Sequence, residues 1–362
     1  MGSWLTSLLV VCALLCSSLS YSADAGFRIG TYYFPGWKAG QKGSAYAEPW
    51  ALIKKFPERE PQLGWYEEDA PGVMTTQLKW MRENGIDFVV FDWLWGPDNR
   101  PYLGHGINAY MTAPDRHGVE FAVLWANHTE YNFSRDQFQA LFRFWAQRYF
   151  FRQDYLKVDG KPVVFLFSAQ VLNRNAAKIG MTTQELLAMA DDAAREVGLP
   201  GVAVIGGIGG NAGGGFDYSA RSGYAGFSLY NLHGPATFAY EPGRHVSHSY
   251  KELDAAYRDH WKWMMSNAEG RYVVPMSSGW DKRPWGGSKD SKHDNSRSTP
   301  KEFAEHLRAA KDAITTNRQR TLGMGVICCW NEFGEGSIIE PTKADGFSFL
   351  EQVREVFGGN RQ

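Results

Sequence analysis

The stretch Cys328-Cys329-Trp330-Asn331-Glu332-Phe333-Gly334-Glu335-Gly336-Ser337-Ile338-Ile339-Glu340-Pro341 closes an apolar run, Met324 to Trp330, and then turns abruptly polar. The run reads as a buried strand, and its C-terminal end carries Asn331, three glutamates and two glycines. A strand that delivers carboxylates at that end is how a (β/α)8 barrel presents catalytic groups. Glu332 and Glu335 lie three apart: side by side on a helical turn, or roughly 10 Å apart on opposite faces of a straight strand. Gly334 and Gly336 favour the turn. Two carboxyls about 5 to 9 Å apart across a scissile bond are what glycoside hydrolysis requires, one as acid and the other as base or nucleophile. A solvated acidic loop is the commoner fate of two glutamates, but the interleaved Trp330 and Phe333 argue for a site.

The bulk of the chain narrows the options. Its 362 residues suit one large α/β barrel or two smaller domains. Lys and Arg total 38 against 39 Asp and Glu, a net charge of -1, so there is no electrostatic case for nucleic acid or an anionic membrane. Aromatics make up 15%, many of them beside Gly or Asp, which suits a cleft where pyranose C–H faces pack on rings. Core packing accounts for most of them.

Residues 1–22 carry no charged side chain, and the apolar stretch Leu8 to Leu15 is too short to span a bilayer. Small residues at Ser20-Tyr21-Ser22 and Ala23-Asp24-Ala25 offer cleavage patterns, so this segment reads as a secretory signal peptide. Leu15 is too large for lipoprotein processing at Cys16. The expected organisation is a leader, 1–22, and one barrel domain, 23–362, secreted or periplasmic and free of the membrane after cleavage. Cys12 and Cys16 depart with the leader. Neighbours in a strand point to opposite faces, so Cys328 and Cys329 are expected to stay unbridged, with no disulfide framework.

Short apolar runs recur along the chain: Phe27–Tyr33, Ile86–Asp92, Glu120–Ala126, Pro162–Ser168, Val202–Gly206, Ala225–Tyr230, Tyr272–Ser277 and Met324–Trp330. Between most of them lie helical patterns, at Val73–Asn84, Arg135–Phe151, Thr183–Val197, Tyr250–Asn267 and Pro300–Thr316. Thr299, Pro300 and Glu302 make a good helix start. This is the pattern of an α/β (β/α)8 TIM barrel, a single domain with loop insertions at Gly36–Gly72, Gly206–Gly215 and Gly286–Arg297, the last polar and expected to be exposed. An open doubly wound sheet is the alternative, but no Gly-rich phosphate fingerprint follows the first strand.

Five strand ends share a composition. Tyr32, Tyr33 and Trp37 follow the first strand; Asp92, Trp93 and Trp95 the second; Trp125, Asn127 and His128 the third. Trp280, Asp281 and Arg283 follow the seventh, and Trp330, Asn331 and Glu332 the eighth. In a barrel these ends converge on one mouth, and together they suggest a saccharide cleft. Tyr32 and Tyr33 alternate in direction, so at most one faces it.

The order of Tyr32–Trp37, Gly85–Phe88, Trp125–Asn127, Val158–Pro162, Trp280–Pro284, Ser298–Phe303 and Trp330–Pro341 resembles the glycoside hydrolase family 99-like group, also called WbsX-like, over nearly the whole mature chain. The last motif is the most specific. Family 99 proper consists of (β/α)8 barrels that cleave α-mannosidic linkages internally, with retention and without a metal. The resemblance implies that Glu332 deprotonates the sugar 2-hydroxyl, which attacks C1 to give a 1,2-anhydro intermediate. It implies that Glu335 acts as acid, then base. Two departures stand out. Phe333 replaces the usual Trp, and His128 occupies a position where the WbsX-like pattern more often has Glu.

On chemistry alone, Glu335 is expected to be protonated at working pH, its pKa raised by Trp330, Phe333 and the charge of Glu332. Glu332 is expected to stay ionised with help from Asn331 and Arg283, and Glu340 to hold the loop or bind a hydroxyl. The 9 histidines form no recognisable ligand set, so neither metal nor cofactor is expected. The partner is an oligosaccharide or polysaccharide substrate, such as a mannan. A non-catalytic glycan-binding protein would not need both glutamates. A glycosyltransferase of polysaccharide biosynthesis would want a diphosphate cradle, and no such motif is visible.

Overall fold

The computed structural model describes residues 26–41, 47–127, 133–208, 216–234 and 245–358. The expected leader, 1–22, residues 209–215 of the glycine-rich loop and His128 lie outside them. Each apolar run anticipated from the sequence is a strand: β1 Arg28–Tyr33, β2 Phe88–Trp95, β3 Glu120–Trp125, β4 Lys161–Leu166, β5 Ala203–Gly207, β6 Gly226–Ser228, β7 in two pieces, Arg271–Tyr272 and Val274–Ser277, and β8 Met324–Cys328. Neighbours pair in parallel around the ring in this order. The first piece of β7 pairs with β6 and the second with β8, which in turn pairs with β1. Nine parallel segments at eight strand positions thus close a TIM barrel. Strands covered on both faces must be apolar almost throughout, which is why they stand out as Val-, Ile- and Phe-rich runs.

The surrounding helices are α1 Val73–Glu83, α2 His105–Thr112, α3 Arg135–Trp145, α4 Ala169–Lys178, α5 Thr183–Arg195, α6 Tyr250–Asn267, α7 Pro300–Thr316 and α8 Ser348–Phe357. Thr299 and Glu302 form a reciprocal capping box at the start of α7, as do Thr182 and Glu185 at α5. The anticipated helix Arg135–Phe151 stops being α-helical at Trp145 and continues as a π-helical turn, Ala146–Phe150. Sequence periodicity passes over α2, α4 and α8, which are short. Even so, α8 buries Phe349, Leu350, Val353, Val356 and Phe357, with Phe349 against Phe303 of α7.

Strand alternation sorts the tryptophans. Asp92 points into the barrel, so Trp93 and Trp95 point out of it. Their rings stack on each other at 5.4 Å and pack on Phe144 of α3. Trp125, ending β3, packs on Phe133, Phe138 and Trp145. These three tryptophans join barrel to helix and are not part of the mouth.

The insertion after β1 folds back over the C-terminal end of β8. Trp37, Trp50, Ile53 and Tyr66 join Phe333 and Ile338 in a second apolar cluster, with Trp37 stacked on Trp50 at 4.1 Å. The buried Arg59 clamps the insertion. It pairs with Asp281 at 2.6 Å and donates from Nη1 to the carbonyls of Phe333 and Asp281. Glu340 forms a second clamp, accepting from Tyr66 Oη at 2.7 Å and from Gln77 Nε2 at 3.1 Å. Gln77 in turn accepts from Tyr33 Oη, so Tyr33 faces this network and not the mouth.

Two expectations are corrected here. Cys328 and Cys329 are bonded to each other as a vicinal disulfide across a cis peptide, their Cα atoms 2.9 Å apart. The opposite-faces argument holds for trans-linked residues only. The polar segment Gly286–Arg297 is not simply exposed: Asp294 turns inward, accepting from Lys282 N, Ser288 N and Ser288 Oγ, and His293 and Ser296 are buried.

The clamps make two predictions. Arg59→Met leaves Asp281 and two carbonyls short of donors and is expected to cost ~3 kcal/mol in urea unfolding; a loss under ~1 kcal/mol would contradict the clamp. Burial pushes the Glu340 carboxyl up to about 8, so the folded state keeps a proton that the unfolded chain has released. That contribution is complete below the unfolded pKa of about 4.3 and is lost as pH rises to about 8. Glu340→Gln mimics the neutral form and is expected to flatten this part of the stability–pH curve. An unchanged slope would show that Glu340 folds ionised.

Candidate active site

Past β8 the chain makes a hairpin, β9 Asn331–Glu332 against β10 Ser337–Ile338, and the two glutamates share the turn between its strands. The Glu332 carbonyl accepts from Glu335 N at 3.1 Å and from Gly336 N at 3.0 Å. Gly336 has φ +75°, and a Cβ there would meet Asp281 at 2.9 Å, so both conformation and space demand glycine. A Cβ on Gly334 would overlap the Trp285 ring.

Neighbouring elements hold this hairpin in place. Asn331 Oδ1 accepts from Phe34 N and its Nδ2 donates to Phe34 O, at 2.8 and 2.9 Å. Trp37 Nε1 donates to Asn331 O, and Asp281 N donates to Glu335 O at 2.6 Å. Trp330 is fully buried and its backbone N–H bonds Tyr32 O. The candidate residues Trp37, Trp330, Asn331, Asp281 and Glu340 are therefore scaffold for the pair. Asn127 is scaffold too, pairing both ways with the Ser168 backbone to tie the ends of β3 and β4.

Inside this frame Glu332, Glu335 and Asp92 come together. Tyr230, just past β6, places its hydroxyl 2.9 Å from Asp92 Oδ2 and 2.8 Å from Glu332 Oε1. Its ring leans on Tyr32 at 4.9 Å and Phe167 at 5.3 Å, so Tyr32 forms the floor beneath it. Strand-end reading missed Tyr230, although the sixth anticipated strand ends on it. Trp280 lies at the edge of the mouth, its ring 3.9 Å from His233 and stacked on His293.

Burial dominates the electrostatics. It raises Glu332 well above the usual carboxylate range, and the charges of Glu335 and Asp92 add to the effect. Burial likewise raises Asp92, with a further push from Glu335. Glu335 is raised to about 7 by burial, with Lys282 opposing. Contrary to the expectation from sequence, Arg283 does not help keep Glu332 ionised. Its guanidinium is bidentate on Asp281; burial pushes that carboxyl up, but Arg283 and Arg59 outweigh it and hold Asp281 below its ordinary value. The group that touches Glu332 is the Tyr230 hydroxyl, and Asn331 is spent on Phe34. Asp92 Oδ1 and Glu332 Oε2 are buried without a partner among the described residues. Among those residues, no group of three or more His, Cys, Asp or Glu is placed to hold a metal ion.

Chemically, this is a cluster of three carboxyls, two of them on one hairpin, with one acid raised to about 7. No curated protein matches the chain. Among solved structures, the glycoside hydrolase family 99 endo-alpha-mannosidase of Bacteroides thetaiotaomicron is similar, with TM-score 0.63 and 13% identity over 91% of this chain and 95% of that one. A glycoside hydrolase-like protein is also similar, with TM-score 0.64 and 16% identity over 93% of this chain and 95% of that one. At such identities the likeness speaks for the fold, a glycoside-hydrolase-like TIM barrel. The sequence model of the family described as Glycosyltransferase WbsX matches residues 52–353, and the chain belongs to that family.

Proposed function

We propose that the protein hydrolyses glycosidic bonds in an oligosaccharide or polysaccharide outside the cytoplasm, with Glu335 as acid and then base. Glu332 takes the proton of a ring hydroxyl or attacks C1 directly. The observation that carries this reading is the hairpin itself: Glu332 and Glu335 at the two ends of one turn, at the barrel mouth, with Glu335 held near neutrality. An acid must be protonated to serve a leaving oxygen, and burial supplies that condition. Likeness in fold to the endo-alpha-mannosidase supports α-mannosides and internal cleavage as the narrower form of the proposal. A transferase would instead need groups to hold a nucleotide diphosphate; here negative charges meet, and Lys282 is the cation acting on Glu335.

Protein lacking residues 1–22 is to be incubated with α-mannans and other polysaccharides while released oligosaccharides are followed, with Glu335→Gln as control. Products from the wild type alone are expected. Binding without cleavage, equal in both proteins, would show a glycan-binding module, and sugar transfer requiring a nucleotide sugar would show a transferase. With Glu335 at about 7, kcat/KM is expected to fall as pH rises through that value, because the acid loses its proton. A profile flat through neutrality would remove Glu335 from that role.

A further inference from the structure

Asp92 has no part in two-carboxylate chemistry, yet one atom ties it to the site. Tyr230 Oη lies within hydrogen-bonding distance of both Asp92 Oδ2 and Glu332 Oε1, at 2.9 and 2.8 Å. Burial and the flanking carboxyls push the phenol well above its ordinary pKa, so it keeps its hydrogen. That single hydrogen serves one carboxylate. The other contact is a hydrogen bond only if its carboxyl brings its own hydrogen and donates to the phenol oxygen. Two bare carboxylates on one phenol would set lone pairs against each other.

Among the described residues the surroundings offer no relief for a second charge. Tyr32 of β1 lies below; Tyr257 of α6 acts on Tyr32; Glu335 faces the pair from the hairpin; Lys282, after β7, acts on Glu335. The charges acting on Asp92 and Glu332 are negative. Their outer oxygens, Asp92 Oδ1 and Glu332 Oε2, have no donor among the described residues.

The geometry points to a single proton held between Asp92 and Glu332 through Tyr230, with Asp92 bearing it while Glu332 acts as base. This rests on the reading of Glu332 given above. Asp92 O–H donates to Tyr230 Oη, Tyr230 O–H donates to Glu332 Oε1, and the negative charge stays on Glu332. When Glu332 takes a hydroxyl proton on Oε2, the sugar O–H bond breaks and its electron pair remains on the sugar oxygen. The unit passes from one negative charge to none, and returning the proton restores it. It never carries two. Asp92 is thus a positioning residue: it aims the Tyr230 hydrogen at the base.

The first test needs no substrate. The infrared difference near pH 7 between wild type and the double variant Asp92→Asn/Glu332→Gln is expected to contain one protonated carboxyl and one carboxylate. Two carboxylates, or two protonated carboxyls, would overturn the proposal whether or not the protein cleaves any glycan. The second test is kinetic and also serves if the double variant does not fold. Asp92→Asn, whose amide donates to the phenol, is expected to slow kcat about 10-fold, and Asp92→Ala about 100-fold. In Asp92→Asn the acid limb of kcat/KM should move by less than about 0.5 pH unit, because the replaced group was already neutral. A downward move of about 1 unit or more would mean that a charge was removed, and Asp92 would then be an anion. Absence of turnover by the wild type on every glycan would contradict the hydrolase reading and leave the infrared result to decide this one.

Discussion

The hydroxyl of Tyr230 lies between two buried carboxyls, and much of the barrel mouth is arranged to make that grouping tolerable. Removing carboxylates from water is expensive, and the cost rises when like charges are neighbours. Two acids elsewhere have cationic partners: the buried Asp281 pairs with Arg59 and Arg283, and the half-buried Asp254 with His306 and Arg258. At the mouth, Lys282 acts on Glu335, while Asp92 and Glu332 are answered by a phenol. The site therefore retains protons where exposed carboxyls would have lost them. A retained proton is what an acid catalyst near neutral pH requires.

Holding such a site costs stability, and the surrounding structure offsets it. Arg59, Trp37, Asn331 and Asp281 each spend a hydrogen bond or ion pair on the backbone around the hairpin. Gly336 turns left-handed where a side chain would strike Asp281, and Gly334 leaves room for Trp285. The aromatic cluster of the insertion covers the same hairpin from outside. Two carboxyls fixed by backbone bonds at the ends of one turn need little reorganisation to act, and that is the advantage of building a site on rigid elements.

The barrel was legible because parallel strands buried on both faces leave apolar runs, and because Thr299 and Glu302 mark a helix start by their hydrogen bonding and Pro300 by needing no donor there. The short α2, α4 and α8 were not, since ten residues or fewer show too little periodicity. The site was legible in part. Spacing and glycines drew attention to Glu332 and Glu335, and strand-end position to Asp92. Composition at strand ends, however, does not say which way a ring points. With Asp92 inward, period-two alternation sends Trp93 and Trp95 outward, a deduction the sequence permits. Nothing local in Tyr230 reveals that it bridges residues 138 and 102 positions away. Nor does spacing reveal that Asn127, Asn331 and Glu340 satisfy the scaffold, or that Cys328 and Cys329 bond to each other.

The account depends most directly on Glu335 being the group that protonates the leaving oxygen. The decisive measurement compares wild type and Glu335→Gln on two glycosides of the same sugar, one with a poor leaving group and one with a leaving group that departs without protonation. The account expects kcat/KM of the variant, which ends at departure of the leaving group, to fall roughly 1,000-fold on the first and no more than about 10-fold on the second. Equal losses on both, or near-wild-type turnover on the poor leaving group, would contradict it.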